Sequence, residues 1–393
     1  MKKKVAIIIE RANIALGGAE RSIFELAGAL SSLGFDVDIL AATGQTSTKN
    51  IHILCPDTGK RTNFTAFAQV LEKHLAENHY DIIHSVLPFE FAHIYQPRGG
   101  SFAESILRNA ASYQNKLLAS FKKITAFANF RRSELLRAEK NLCKNPDGPV
   151  IAALSQYVAE QFKQHYGLDE KRIAIIPNGV KTNKQPDKNK ADRFRTQILT
   201  ELRLKEADEP VLFLFVAHNF RLKGLAVLIK AINLVTNQHT PRPACLIVAG
   251  RGSAFKYRHL AKALNIHRQI VFLGPVPNIQ NVLSISDVAV LPTFYDPSSR
   301  FTLEALAADK PVITTKFNGA TDLFVDNRHG KVIDCPENIH ALAEAISYFT
   351  NTDNLQKAAD AIVADNLREN ISISRAAKQL QSLYESILEK RRL

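Results

Sequence analysis

The stretch Asp287-Val288-Ala289-Val290-Leu291-Pro292-Thr293-Phe294-Tyr295-Asp296-Pro297-Ser298-Ser299-Arg300-Phe301-Thr302-Leu303-Glu304 passes from an apolar run through a polar loop into a helix-forming segment. A run as short and apolar as Asp287 to Leu291 reads as a buried strand of a parallel sheet, covered on both faces. Pro292 to Arg300 then forms the loop at its carboxyl end, which is where open α/β sheets bind ligands. A helix starting near Thr302 would turn its backbone N–H groups and positive dipole end to the same edge, placing Thr302 and Leu303 beside a diphosphate. Asp296 in the loop and Glu304 in the first helical turn can face a polyhydroxylated ligand from two sides. An ionised Glu304 has two acceptor oxygens for two vicinal ribose hydroxyls. Glu304 also has a plainer reading, in which it only favours the helix dipole.

Strand-like and helix-like segments alternate along nearly the whole chain, the pattern of a parallel α/β architecture. Val5 to Ile9 reads as the first strand. Ile23, Leu26, Ala27 and Leu30 then recur at helical spacing up to a stop at Gly34. Further strands are expected at 35–39, 82–85, 151–154 and 173–176, with a helix over 156–166 stopped by Gly167. Lys181 to Asp192 is rich in Lys, Asn, Asp and Pro and reads as a linker or exposed loop. A second series follows, with strands at 211–216, 244–249, 270–273, 287–291 and 312–314. The expected division is 1–178, 179–370 and a terminal amphipathic helix over 371–393. That helix carries Leu380, Leu383, Ile387 and Leu388 on one face and packs back on the first domain.

Several loops fall where strands end. Gly17 and Gly18 follow the first strand, where the lack of a side chain lets backbone N–H groups approach a phosphate; a tight turn that needs glycine is the alternative. Arg221 and Lys223 sit between the strand 211–216 and its helix, placed to hold the two phosphates of a sugar nucleotide. Gly250 and Gly252 end the next strand, and Gly274-Pro275-Val276 ends the one after. Tyr95-Gln96-Pro97-Arg98-Gly99-Gly100 is a second glycine loop in the first half, whose Arg98 and Gly99 can contact a donor sugar or a phosphorylated acceptor. His84 and His93, in or beside strand positions, are candidates to approach the reacting centre, or are merely structural.

The chain has 393 residues, 46% of them hydrophobic, enough for two domains with separate cores. Its net charge of +13 implies an anionic partner: a phosphorylated small molecule, an acidic membrane surface or nucleic acid. No recognisable nucleic-acid motif is present, so nucleic acid is not the expected partner. Cys55, Cys143, Cys245 and Cys335 lie far apart with no Cys-x-x-Cys spacing, which argues against a zinc site or a disulfide framework and fits a reducing cytosol. Lys2, Lys3 and Lys4 precede an apolar run that Glu10 and Arg11 cut too short for a signal peptide. No stretch approaches the roughly 20 apolar residues of a spanning helix.

Residues 101–145 carry nine Lys/Arg against three Asp/Glu, interleaved with Leu117, Leu118, Phe121, Ile124, Phe127 and Phe130. The spacing 117, 121, 124 with Phe127 or Ala128 predicts a basic amphipathic helix, suited to an anionic bilayer interface or to packing with a solvated basic face. A cytoplasmic protein, peripheral on the inner face of the membrane, is the expectation.

Taken together, Gly17-Gly18-Ala19-Glu20, Pro177-Asn178-Gly179-Val180, Phe220-Arg221-Leu222-Lys223-Gly224, Leu273-Gly274 and Leu303-Glu304-Ala305-Leu306 resemble the motifs of family-4 retaining glycosyltransferases, among them lipopolysaccharide-core glucosyltransferases. The resemblance implies a GT-B fold, two Rossmann-like domains facing each other across a cleft. It also implies transfer of a sugar from a nucleotide donor, expected to be UDP-linked, to a glycolipid or lipopolysaccharide-core acceptor, with no cofactor and no metal. In such enzymes the residues matching Arg221 and Lys223 hold the diphosphate, the one matching Glu304 the ribose, and the one matching Asp296 the donor sugar. Asp296 stands where the family usually has Glu, which leaves the donor sugar open. Asp309 stands where Gly is common, and Asp tolerates the left-handed conformation better than most residues. The competing readings are an epimerase or phosphorylase of the same architecture, and a non-catalytic nucleotide-binding or nucleic-acid-binding module.

Overall fold

A computed structural model describes residues 2–13, 17–44, 48–56, 62–113, 115–125 and 129–391. The chain forms two compact units, one of residues 1–179 with 372–393 and one of residues 180–371.

The first unit runs β1 (Lys4–Ala12), α1 (Gly18–Ser32), β2 (Asp36–Gly44), β3 (Ile51–Ile53), α2 (Phe64–Glu77), β4 (Ile82–Ser85), β5 (Ile94–Tyr95), α3 (Phe102–Ala111), α4 (Lys116–Thr125), α5 (Phe130–Lys144), β6 (Val150–Ala153), α6 (Gln156–Tyr166) and β7 (Ile173–Ile175). Among the described residues its strands make one parallel sheet in the order β3-β2-β1-β4-β5-β6-β7. Val5 to Ile8 are fully buried at its centre. The apolar stripe of α1, Ile23, Leu26, Ala27 and Leu30, packs on that sheet. Each such large side chain contributes about 1.5–3 kcal/mol. Ser155 caps α6 by accepting the Val158 amide, and Gly167 ends it in the left-handed conformation at φ 65°.

The second unit runs α7 (Lys188–Leu202), β8 (Val211–Val216), α8 (Leu225–Thr236), β9 (Ala244–Ala249), α9 (Phe255–Ala263), β10 (Ile270–Gly274), α10 (Ile279–Leu283), β11 (Val288–Leu291), α11 (Arg300–Ala307), β12 (Val312–Thr315), β13 (Gly330–Ile333), α12 (Ile339–Tyr348), α13 (Thr352–Ala364) and α14 (Leu367–Asn370). Its sheet, again parallel, has the order β10-β9-β8-β11-β12-β13. The last helix, α15 (Ile373–Lys390), returns to the first unit, where Ile373, Ala377, Leu380 and Tyr384 join the core on the α1 side of the sheet.

The expected linker over 181–192 is shorter than its composition suggests. Asp187 accepts the Lys190 amide and starts α7, whose buried residues, Ala191, Ile198, Leu199 and Leu202, lie mostly toward its C-terminal end. The basic segment 101–145 holds three helices, of which α4 carries the expected spacing 117, 121 and 124. Phe127 and Ala128 lie outside the described residues, as do the side chains of Leu118 and Ile124. Asp309 adopts the left-handed conformation, at φ 58°, and its carboxylate accepts from Arg368 Nη2.

Candidate functional site

In the second sheet the strand order reverses between β8 and β11, so the loops that follow these two strands leave side by side at the carboxyl edge. The first holds Arg221 and Lys223; the second holds Asp296. Backbone and side chain lock them together. Leu222 O accepts the Phe294 amide at 2.9 Å, and a Cβ on Gly224, at φ 82°, would lie 2.1 Å from Pro292 O, so only glycine lets the loops approach this closely. Lys223 Nζ donates to Asp296 Oδ2 and to Tyr295 O, each at 2.7 Å, and both side chains of the ion pair are more than four-fifths buried. Arg221 is half-buried in the same turn, and its charge acts on the Tyr257 phenol.

Asp296 is fixed from its other side by Asn318. The Asp296 amide donates to Phe317 O and the Gly319 amide to Asp296 O, both at 2.8 Å, in a parallel bridge of Asp296 with Asn318. Asn318, fully buried, accepts the Ser299 and Ala320 amides on Oδ1 and donates Nδ2 to the Thr302 and Thr314 hydroxyls. The sequence reading missed this hub; Asn-Gly at 318–319 was its one local sign.

Helix α11 starts two residues earlier than expected, because Ser299 Oγ caps it by accepting the Thr302 amide at 3.3 Å. The Leu303 amide donates to Ser299 O at 3.2 Å, and the Leu303 side chain is wholly in the core. This corrects the expectation that the amides of Thr302 and Leu303 stand open to a diphosphate: the cap and the first helical bond satisfy both. Because the helix starts at Arg300, Glu304 falls one turn in and not in the first turn as expected; it is buried, with Oε1 accepting Arg300 Nε at 2.9 Å.

The remaining loops line the same sheet edge. Gly250, at φ 127°, passes so close to β8 that a Cβ would lie 1.8 Å from Ala217 O. A Cβ on Gly252 would strike the Phe220 ring at 2.6 Å. Val276, following β10, lines a groove of about 550 Å³ with Pro186, Arg193, Phe194, Asn278 and Asn281.

In the first unit the order reverses between β1 and β4. Gly17, in extended backbone at φ 171°, caps α1, and Gly18 is its first residue. Arg98, beyond β5, donates Nη2 to Ser22 Oγ on α1 at 2.7 Å. Gly99 has open space where a Cβ would go. His84 does not meet the expectation of a group at the reacting centre. It is fully buried, bound through Nδ1 to the Tyr384 hydroxyl at 2.7 Å, and burial together with the Arg98 charge pushes its pKa down to about 3. An enclosed, permanently neutral ring has no route to a substrate proton. His93 precedes β5, accepts the Ile83 amide on Nδ1 at 3.0 Å and lies beside Arg391. Among the described residues no group of three or more His, Cys, Asp or Glu is placed to hold a metal ion.

Two family models match the chain: Glycosyltransferase Family 4 over residues 16–184, and Glycosyl transferases group 1 over residues 201–364. The chain belongs to the family-4 glycosyltransferases of GT-B type. Within the family, a D-inositol 3-phosphate glycosyltransferase of Corynebacterium glutamicum is 26% identical over 64% of this chain, and the match spans 60% of that protein's length. The lipopolysaccharide glucosyltransferase WaaG of Escherichia coli is 19% identical over 84% of this chain and 85% of its own. A WaaG crystal structure, 20% identical, superposes with a TM-score of 0.68 over 98% of both chains. The Anabaena protein HepE, in complex with UDP and glucose, superposes with a TM-score of 0.69 over 98% of this chain and all of its own, at 17% identity. These superpositions establish the shared fold.

Proposed function

We propose that the protein moves a hexose from a nucleotide-sugar, UDP-linked, to a glycolipid or lipopolysaccharide-type acceptor of the cell envelope, with retention of configuration and without a metal. The observation that carries this reading is the Lys223–Asp296 pair at the switch point of the second sheet. There a cation and a carboxylate meet at the ligand-binding edge of an open α/β fold. Lys223 and Arg221 take the diphosphate, Asp296 a hydroxyl of the donor sugar, and Glu304, steadied by Arg300, the ribose. The groove beside Val276 takes the base, between Phe194 and the Asn278 and Asn281 amides.

In the reaction the acceptor oxygen bonds to the anomeric carbon while the bond from that carbon to the diphosphate oxygen breaks. The departing electron pair stays on the diphosphate, which takes the acceptor's proton. Arg221 and Lys223 stabilise the charge that develops there, the service a metal would otherwise perform. Arg98, in the loop beyond β5, takes a phosphate of the acceptor. The UDP bound by HepE and the lipopolysaccharide acted on by WaaG support the choice of donor and acceptor class.

The acceptor reading extends to a lipid surface. Leu117 and Phe121, one helical turn apart on α4, whose last turn holds Lys122 and Lys123, are 82% and 58% exposed, and Phe130, the first residue of α5, is 75% exposed. Apolar side chains standing out among cations fit an anionic bilayer interface. Among the described residues no helix is long and apolar enough to cross a membrane.

The test is release of UDP from UDP-glucose on adding a lipopolysaccharide-core glycolipid. Release should depend on the acceptor. In Leu117→Ser/Phe121→Ser it should persist with detergent-dispersed acceptor and fall about tenfold when the acceptor is in phosphatidylglycerol vesicles. UDP release indifferent to acceptor would sink the transferase reading, and equal rates in vesicles the membrane one.

A further inference from the structure

The loop that carries Arg98 is held on both sides of Pro97, by a hydrogen-bonded relay on one side and by packing against a buried histidine on the other, and both lead to α15. On one side the Tyr384 hydroxyl meets His84 Nδ1 at 2.7 Å, and the Gln96 side chain lies beside the same ring. On the other, Arg98 Nη2 donates to Ser22 Oγ at 2.7 Å, Ser22 donates onward to Asn178 Oδ1 at 2.8 Å, and Asn178 O accepts Arg375 Nη2 at 2.8 Å.

The direction of the Ser22 relay is dictated by chemistry. A guanidinium has no acceptor, so Ser22 must accept from Arg98 and spend its single proton on Asn178. The neutral His84 ring shares one hydrogen bond with the Tyr384 hydroxyl through Nδ1, and its tautomer sets which of the two donates. Every member between Arg98 and the helix is buried: His84 and Tyr384 at 0% exposure, Ser22 and Gln96 at 1%, Asn178 at 8%. Stability alone gives no reason for so many buried polar groups, since apolar side chains of similar size would fill the space without desolvation cost. Arg98 is the half-buried member, and its charge acts on both His84 and Tyr384.

We propose that α15 is a positioning strut for Arg98, acting through Tyr384 and His84 on one side and through Arg375, Asn178 and Ser22 on the other. The functional half of this inference rests on the substrate contact assigned to Arg98 above; the geometric half does not. The C-terminal helix thereby becomes part of the first unit's site, although Tyr384 and His84 stand 300 residues apart. His84 serves the reaction by orientation, as a positioning residue.

The experiment compares Ser22→Ala, Tyr384→Phe, Arg98→Ala and the double variant Ser22→Ala/Arg98→Ala, each checked for an unchanged thermal midpoint by circular dichroism. The first readout is the rate at which phenylglyoxal modifies Arg98, followed by peptide mass spectrometry. It should rise about tenfold in Ser22→Ala, as one hydrogen bond to the charged Arg98 is lost, and by a smaller factor in Tyr384→Phe, where the bond lost is to the neutral His84; a wild-type rate in both overturns the strut. The second is turnover of UDP-glucose to free UDP, expected to fall about tenfold in Ser22→Ala yet no further in the double variant than in Arg98→Ala. A multiplied loss in the double variant would mean that Ser22 acts elsewhere, and overturns the proposal. Should Arg98→Ala keep wild-type turnover while modification of Arg98 still quickens in Ser22→Ala, the substrate role of Arg98 fails and the strut stands.

Discussion

Lys223 and Asp296 are 73 positions apart in sequence, and what joins them is the absence of side chains nearby as much as their own charges. Gly224 and Gly250 let three strand-end loops converge where any Cβ would collide with a carbonyl oxygen. These glycines could be read in the sequence as turn formers. Which carbonyl each one approaches could not, because Ala217 and Pro292 follow other strands, β8 and β11. Replacing Gly250 by Ala meets both a steric contact at 1.8 Å and a backbone at φ 127° that side chains rarely adopt. The second unit should lose about 3 kcal/mol or more, read by urea denaturation with far-UV circular dichroism, the probe of choice in a chain without tryptophan. Gly99→Ala, with open space and no positive φ, should leave the denaturation midpoint unchanged; equal losses in the two variants would remove the steric argument.

At the scale of elements, the helices with buried stripes and the central strands were legible, since five or six consecutive apolar residues bounded by turn formers leave little choice. The short strands β3, β5 and β13, of two to four residues, carry no period of their own and form because a neighbouring strand offers its edge. The start of α11 was displaced because a serine cap, Ser299, competes with the apolar pattern for the first turn. Helices α3, α5 and α6 meet on a single buried carboxylate that no local pattern announced. Glu139 accepts the Tyr95 hydroxyl at 2.8 Å, the Phe102 amide at 2.8 Å and the Tyr166 hydroxyl at 2.5 Å. Burial outweighs these bonds and pushes Glu139 from its ordinary 4.5 up to about 7. The folded protein therefore holds this proton more tightly than the unfolded chain, so the contribution to stability falls as pH rises from about 4.5 to about 7 and is level above that. Glu139→Gln should flatten that part of the stability profile; an unchanged slope would show that Glu139 is ionised throughout.

For the whole molecule, the alternation of strands and helices was enough to read two parallel sheets, and the strand ends were enough to nominate the loops that hold Arg221, Lys223, Asp296, Gly250 and Val276. The contacts that steady those residues were not legible. Asn318 acts through a bridge to Asp296 in the loop after another strand, Ser22 meets Asn178 across 156 positions of sequence, and His84 meets Tyr384 across 300. The net charge of +13 fits an anionic donor and an anionic surface alike, and separates neither. The central claim is that the second unit grips a nucleotide-sugar through Lys223, Arg221 and Glu304. Isothermal titration of UDP-, GDP-, ADP- and CMP-sugars into the wild-type protein and into Lys223→Ala and Glu304→Ala tests it most directly. One nucleotide class should bind saturably to the wild type and at least about tenfold more weakly to each variant, the loss of one charge-assisted contact. Binding of equal strength in all three proteins, or no binding of any nucleotide-sugar to the wild type, would contradict the account.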